Sequence, residues 1–205
     1  MQPDTTDLGL YFLRARDLSA DIADWDTSAV TGMQQMFREA GPFAADIGRW
    51  DTGNVISMEW MFFHSEGVNP DIGAWDTGNV TNMEAMFVAS LFDSDIGGWE
   101  TGMVESMRAM FGGTSSRPVP FDHDIGGWDT SLVRDMSLMF LRAAQFDQQI
   151  GGWDTGNVRN MSQMFNAAVR FNGDIGAWDV ARVTDISRMF SSAQAYDRDI
   201  SGWDT

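Results

Sequence analysis

The sequence predicts an α/β solenoid, a right-handed repeat array with one short parallel strand and one short helix in each unit of about 25 residues. Three observations predict it. Tryptophan recurs at positions 25, 50, 75, 99, 128, 153, 178 and 203, at intervals of 25, 25, 24, 29, 25, 25 and 25 residues. Such self-similarity at a fixed period marks a repeat architecture. Each Trp is followed by apolar residues at helix-like spacing. Each is preceded by a short stretch bounded by turn residues, the pattern of a strand.

The fullest copy reads Asp46-Ile47-Gly48-Arg49-Trp50-Asp51-Thr52-Gly53-Asn54-Val55, then Met58 and Met61-Phe62. The short stretch Asp-Ile-Gly-x-Trp-Asp, bounded by turn residues, predicts a strand near Ile47 to Asp51 and its equivalents, paired in parallel about 4.8 Å apart. Next come Val at +5 from each Trp, Met at +8, Met-Phe at +11 and +12, and a small residue such as Ala40, Ala143 or Ala168. These spacings place one apolar stripe on a helix near Val55 to Phe63 and its equivalents. Ser or Thr at +2 to +3, as in Thr27-Ser28, would cap its N-terminus. A further aromatic, Phe43, Phe92, Phe121, Phe146, Phe171 or Tyr196, is expected to turn inward as a spine. Thirteen of the fifteen Met lie in the two helix columns and read as adaptable core filler. The periodic Trp read as core rather than as a row of sugar-stacking platforms.

The array is expected to fill residues 1–205 as one domain. Residues 1–24 form a degenerate first repeat or cap, with Leu8, Tyr11-Phe12, Ala15, Leu18 and Asp21-Ile22 in register. Residues 25–202 hold seven repeats, and 203–205 open another.

Charge narrows the partners. Thirteen Arg and no Lys stand against 30 Asp and Glu, a net charge of -17. Such a surface repels phosphate backbones and anionic membranes, so nucleic acid is not an expected partner. No run is apolar and long enough to imply membrane insertion, and Met1 to Asp7 carry no export-signal pattern. With no Cys, disulfides and thiolate metal sites are excluded.

The pattern Asp-Ile-x-x-Trp-Asp-Thr-Ser/Gly-x-Val-Thr-x-Met-x-x-Met-Phe-x-x-Ala-x-x-Phe covers about residues 5 to 205. It resembles the short repeats of the BspA-like leucine-rich-repeat surface proteins. The resemblance implies a leucine-rich-repeat-like fold, a cell-surface or secreted location, and adhesion or interaction. It supplies no catalytic motif.

Three groups of residues are candidate sites. Acidic ladders follow each Trp (Asp26, Asp51, Asp76, Glu100, Asp129, Asp154, Asp179, Asp204) and precede it by four (Asp21, Asp46, Asp71, Asp95, Asp124, Asp174, Asp199). Stacked carboxylates repel and need a compensating role. Turn capping is the favoured one. Ca²⁺ bound at Asp26, Asp51, Asp76, Asp129, Asp154 and Asp179 is the alternative, and would make the chain a calcium-stabilised structural or spacer array. The long interval inserts Gly112 to Pro120, an exposed-loop composition in which Thr114, Ser115, Ser116 and Arg117 are candidate contacts. Trp60, Phe63 and His64 depart from the repeat pattern. With Val88 and Leu91 they could form an outward apolar patch over two repeats, local packing between them being the other reading.

An enzyme is not expected. His64 and His123 are isolated, and no phosphate loop or metal-binding His pair appears. The expected function is non-catalytic recognition or adhesion, with a protein or cell-surface ligand. Self-association is expected either at the C-terminal edge, through Ile200 and Trp203, or at the Trp60 and Phe63 patch.

Overall fold

The computed structural model describes residues 5–16, 22–42, 46–67 and 69–204. Each Trp period forms one coil, and successive coils lie one on another in parallel register. Parallel bridges run from Asp7 to Gly32, Ser57, Asn82, Ser106, Asp135, Asn160 and Asp185, one residue per coil. The bridge sits seven residues beyond each Trp rather than at the Trp itself.

This overturns the α/β reading with a helix and a strand in every repeat. Among the described residues there is no helix and no strand longer than an isolated bridge. Where the helix was expected, Met33 to Ala40 fold into three overlapping four-residue turns. Met36 N–H donates to the Met33 carbonyl at 3.3 Å, Arg38 to Gln35 at 3.1 Å and Ala40 to Phe37 at 3.1 Å. The alternate N–H groups point sideways. Those of Met33, Gln35, Phe37 and Glu39 donate to Ser57, Glu59, Met61 and Phe63 of the next coil, at 3.1, 2.8, 2.9 and 2.7 Å. A helix would direct the same donors to carbonyls four residues back along its own chain.

The apolar spacing cannot tell these arrangements apart, because Met33, Met36, Phe37 and Ala40 turn inward in both; here all four are fully buried. The sign of φ does tell them apart. Gln35 (φ 58°) and Glu39 (φ 55°) are left-handed at the third position of the first and last turns, as a type II turn requires. The same pair recurs as Trp60 and His64, Ala85 and Ala89, Leu138 and Arg142, Gln163 and Ala167. Each costs an L-residue roughly 1–2 kcal/mol, so coil-to-coil bonding and burial must outweigh it.

The expected strand is likewise a turn, followed directly by a second. Trp50 N–H donates to the Ile47 carbonyl at 3.2 Å and Val55 N–H to Thr52 at 2.9 Å. One carboxylate oxygen of Asp46 accepts from Gly48 N–H, and one of Asp51 from Gly53 N–H, each at 3.1 Å. The Thr expected as a helix cap instead crosses to the next coil. The hydroxyls of Thr27, Thr52 and Thr155 donate to the carbonyls of Asp51, Asp76 and Asp179, each at 2.9 Å.

The core is one continuous apolar cluster from Leu8 to Met189. Trp50, Trp75 and Trp153 are 3–4% exposed, and their indole N–H groups reach back to the carbonyls of Ile22, Ile47 and Ile125 at 2.9, 2.9 and 3.0 Å. The Ile47 carbonyl thus accepts from Trp50 in its own coil and Trp75 in the next, using both lone pairs. Phe rings stack alongside, 5.5 Å from Phe37 to Phe62 and 5.6 Å from Phe140 to Phe165. Phe92 and Phe121 form part of a second stack. Phe43, Asp21 and Thr205, which carry expectations of the sequence, lie outside the described residues.

Candidate functional site

Because coils stack in register, residues one period apart become neighbours. Arg14, Glu39 and His64 share one column; Arg16, Gly41, Glu66 and Leu91 share the next but one. Positive φ at Arg14 (59°), Glu39 (55°) and His64 (54°) turns the backbone at the same point of three successive coils. There the surface dips into a cleft of about 400 Å³ lined by Arg14, Arg16, Glu39, His64, Glu66 and Arg117. An adjoining hollow of about 260 Å³ is walled by Ser65, Ala89 and Leu91. Glu66 and Arg117 line both.

The insertion supplies the link. Its loop is closed by Thr114 N–H donating to the Arg117 carbonyl at 2.9 Å, and Arg117 N–H donating to the Thr114 carbonyl at 3.3 Å. Val119 and Phe121 anchor it in the core, leaving Ser115 and Ser116 exposed. From this loop the Arg117 guanidinium reaches across the intervening coil and donates to the Glu66 carboxylate, 51 residues earlier.

Two carboxylates here are held by arginines. Glu39 lies 2.7 Å from Arg14, whose hydrogen bond is the main reason its pKa falls below the ordinary value. Glu66 is lowered chiefly by its hydrogen bond to Arg117, then by that charge, with Arg16 adding to it. His64 is also lowered, first by burial and then by the Arg117 charge, against a smaller opposing pull from Glu39. Its neutral form is therefore favoured.

Of the aromatic candidates only His64 lines the cleft; Trp60 and Phe63 pack behind it rather than forming an open platform. Trp60 and Phe63 lie 4.7 Å apart, and Phe63 stacks on His64 at 4.4 Å. The Arg38 guanidinium covers both larger rings, 5.1 Å from Trp60 and 5.3 Å from Phe63, within cation–π range. Trp60, Phe63, His64 and Val88 are half-buried, whereas Leu91 is 57% exposed. His64 N–H donates to the Val88 carbonyl at 2.7 Å. So the structure brings His64, Leu91 and Arg117 to one groove, sets Trp60 and Phe63 behind it, and leaves Ser115 and Ser116 on the loop. Sequence reasoning missed Arg14, Arg16, Glu39 and Glu66. Aligning the repeats by column would have exposed them, since charged residues replace one another at the same two positions.

The acidic ladder after Trp has another occupation. Asp26, Asp51, Asp76, Asp129, Asp154 and Asp179 each accept the N–H two residues on, at 3.0–3.1 Å. Among the described residues no group of three or more His, Asp or Glu could hold a metal ion.

Fold and groove together define a repeat protein of stacked coils with one irregular, arginine-lined face. The chain belongs to the family described as "Mycoplasma protein of unknown function, DUF285", which matches residues 6–119 and again 116–205. No curated protein and no solved structure matches the chain. Among the described residues no helix is long and apolar enough to cross a membrane.

Proposed function

We propose that this chain is a non-catalytic recognition module that holds a protein or cell-surface ligand at the groove between the Arg14–His64 column and the insertion loop. The observation that carries this reading is the reach of Arg117 to Glu66, from the insertion to the coil that bears the unusual aromatics. Stacking needs only the repeated columns; residues that depart from them are free to serve a ligand, as insertions on repeat arrays often do. Here side chains outside the repeated core columns, Arg14, Arg16, His64, Leu91 and Arg117, converge on one face. Surface display and adhesion, implied by the resemblance to BspA-like surface proteins, form part of the proposal. A calcium-stabilised spacer draws less support, because one oxygen of each of the six candidate carboxylates already caps a turn.

Selection of a random peptide display library on the immobilised full chain tests it. Enriched peptides should lose binding to Leu91→Ser and Arg117→Ala, with circular dichroism unchanged. An absence of enrichment, or peptides that bind both variants as well as the parent, would refute the groove as the recognition site.

A further inference from the structure

Resting on that reading, we infer that the groove takes an acidic-apolar peptide segment. One ligand carboxylate sits among Arg14, Arg16 and Arg117, and a neighbouring apolar side chain enters the hollow beside Leu91.

Charge selects the acid. The chain carries 13 Arg against 30 acidic residues, yet three of those Arg line one 400 Å³ cleft. Its two carboxylates, Glu39 and Glu66, are each paired, to Arg14 and Arg117, so three guanidiniums face two carboxylates. The cleft is a local positive site on a chain of net charge -17. An acidic ligand is repelled by most of this surface and drawn to this point, which sets its register. Arginine suits the task because its planar donor fork matches a carboxylate. Glu39 and Glu66 already show the fit from within the chain, and a ligand carboxylate would share or displace the Glu66 contact at Arg117. His64 bounds the cleft as a wall stacked on Phe63.

The second subsite selects an apolar group. Ala89 is almost fully buried, whereas Leu91 leaves 57% of its surface in water. The hollow between them, about 260 Å³, is large enough for one aliphatic side chain. Covering Leu91 would remove that apolar surface from water. Glu66 and Arg117 line both chambers, so the two ligand groups must be close together in the partner.

Fluorescence anisotropy of labelled ten-residue peptides on the full chain tests this. Glu and Leu are separated by zero, one or two residues in a Gly-Ser background, and matched peptides carry Gln for Glu, Ser for Leu, or phosphoserine for Glu. One Glu–Leu spacing should bind about 10-fold more tightly than its Gln and Ser counterparts, as expected for one charge-assisted contact and one buried side chain. Added NaCl should weaken it. Arg16→Gln should erase the preference for Glu over Gln and keep that for Leu over Ser; Leu91→Ser should do the reverse. Equal binding of Glu and Gln peptides, tighter binding of the phosphoserine peptide, or no binding by any Glu–Leu spacing overturns the inference. Library peptides that need the groove but carry no acid would overturn it too, and leave the recognition reading standing.

Discussion

Trp153 and Trp203 occupy the same column of the repeat, yet they are not equally placed. Trp153 is 4% exposed, lies between Trp128 at 6.5 Å and Trp178 at 6.2 Å, and donates to the Ile125 carbonyl at 3.0 Å. Trp203 is half-buried, stacks on Trp178 at 6.5 Å from one side, and donates to Ile175 at 3.2 Å. The backbone differs in the same way. Met161, Gln163, Phe165 and Ala167 donate to Asp185, Ser187, Met189 and Ser191, whereas the N–H groups of Ile186, Arg188, Phe190 and Ser192 have no such partner among the described residues. Burial in this fold is conferred by the neighbouring coil: the same side chain in the same column is core only where coils cover both of its faces.

The largest effect should come from breaking that contrast at its centre. Trp153→Ala is expected to cost roughly 3–5 kcal/mol, as a large core truncation. Trp203→Ala should cost less than half as much in the same urea titration. Equal losses would mean that the last coil is as tightly held as the interior.

A smaller effect tests how closely coils approach. A Cβ on Gly151 would collide with the Asp174 carbonyl of the next coil, whereas one on Gly152 meets nothing within 4 Å. Gly151→Ala should therefore destabilise by about 1–3 kcal/mol through overpacking, and Gly152→Ala should stay within about 0.5 kcal/mol of the parent. Ser201 takes the Gly151 column in the last coil and Ala23 takes it in the first. A neutral Gly151→Ala would show that interior coils can separate enough to admit a methyl group.

Relieving backbone strain should act the other way. Ala167 has φ 59°, where glycine pays no steric penalty. Ala167→Gly should leave stability unchanged or raise it by up to about 1 kcal/mol, the steric relief exceeding the added entropy of the unfolded chain. A loss of 1 kcal/mol would count against left-handed backbone at this corner.

The smallest effect is titration of the turn caps. Asp129 is lowered by its hydrogen bonds to the Ser131 side chain and backbone, and Asp199 by the Ser201 backbone and then its side chain. A carboxylate with a depressed folded-state pKa contributes stability above its unfolded value, near 3.9, that is lost as pH falls through the folded one. Urea midpoints should slip slightly from pH 7 to about 5, where the unfolded chain protonates His64 more readily than the folded one, and decline further below about 4 as the turn caps protonate. Asp129→Asn should flatten that decline more than Asp199→Asn, because the interior turn is held by coils on both sides.

The sequence by itself determined which side chains share a face. The Trp, Val, Met and Phe columns turn inward as their spacing required, and the period set the number of coils. The charge balance and the insertion were equally legible, since both are properties of residues taken singly or in one run. Only the tertiary structure decided where the backbone donors go. Met33, Met36, Phe37 and Ala40 satisfy a helix and a chain of turns alike, and the choice rests on whether the N–H groups of Gln35 and Phe37 meet carbonyls in their own segment or those of Glu59 and Met61, 24 residues on. The groove was hidden for the same reason. Arg117 and Glu66 are 51 residues apart, and local spacing carries no information on a pair that meets only because coils stack in register.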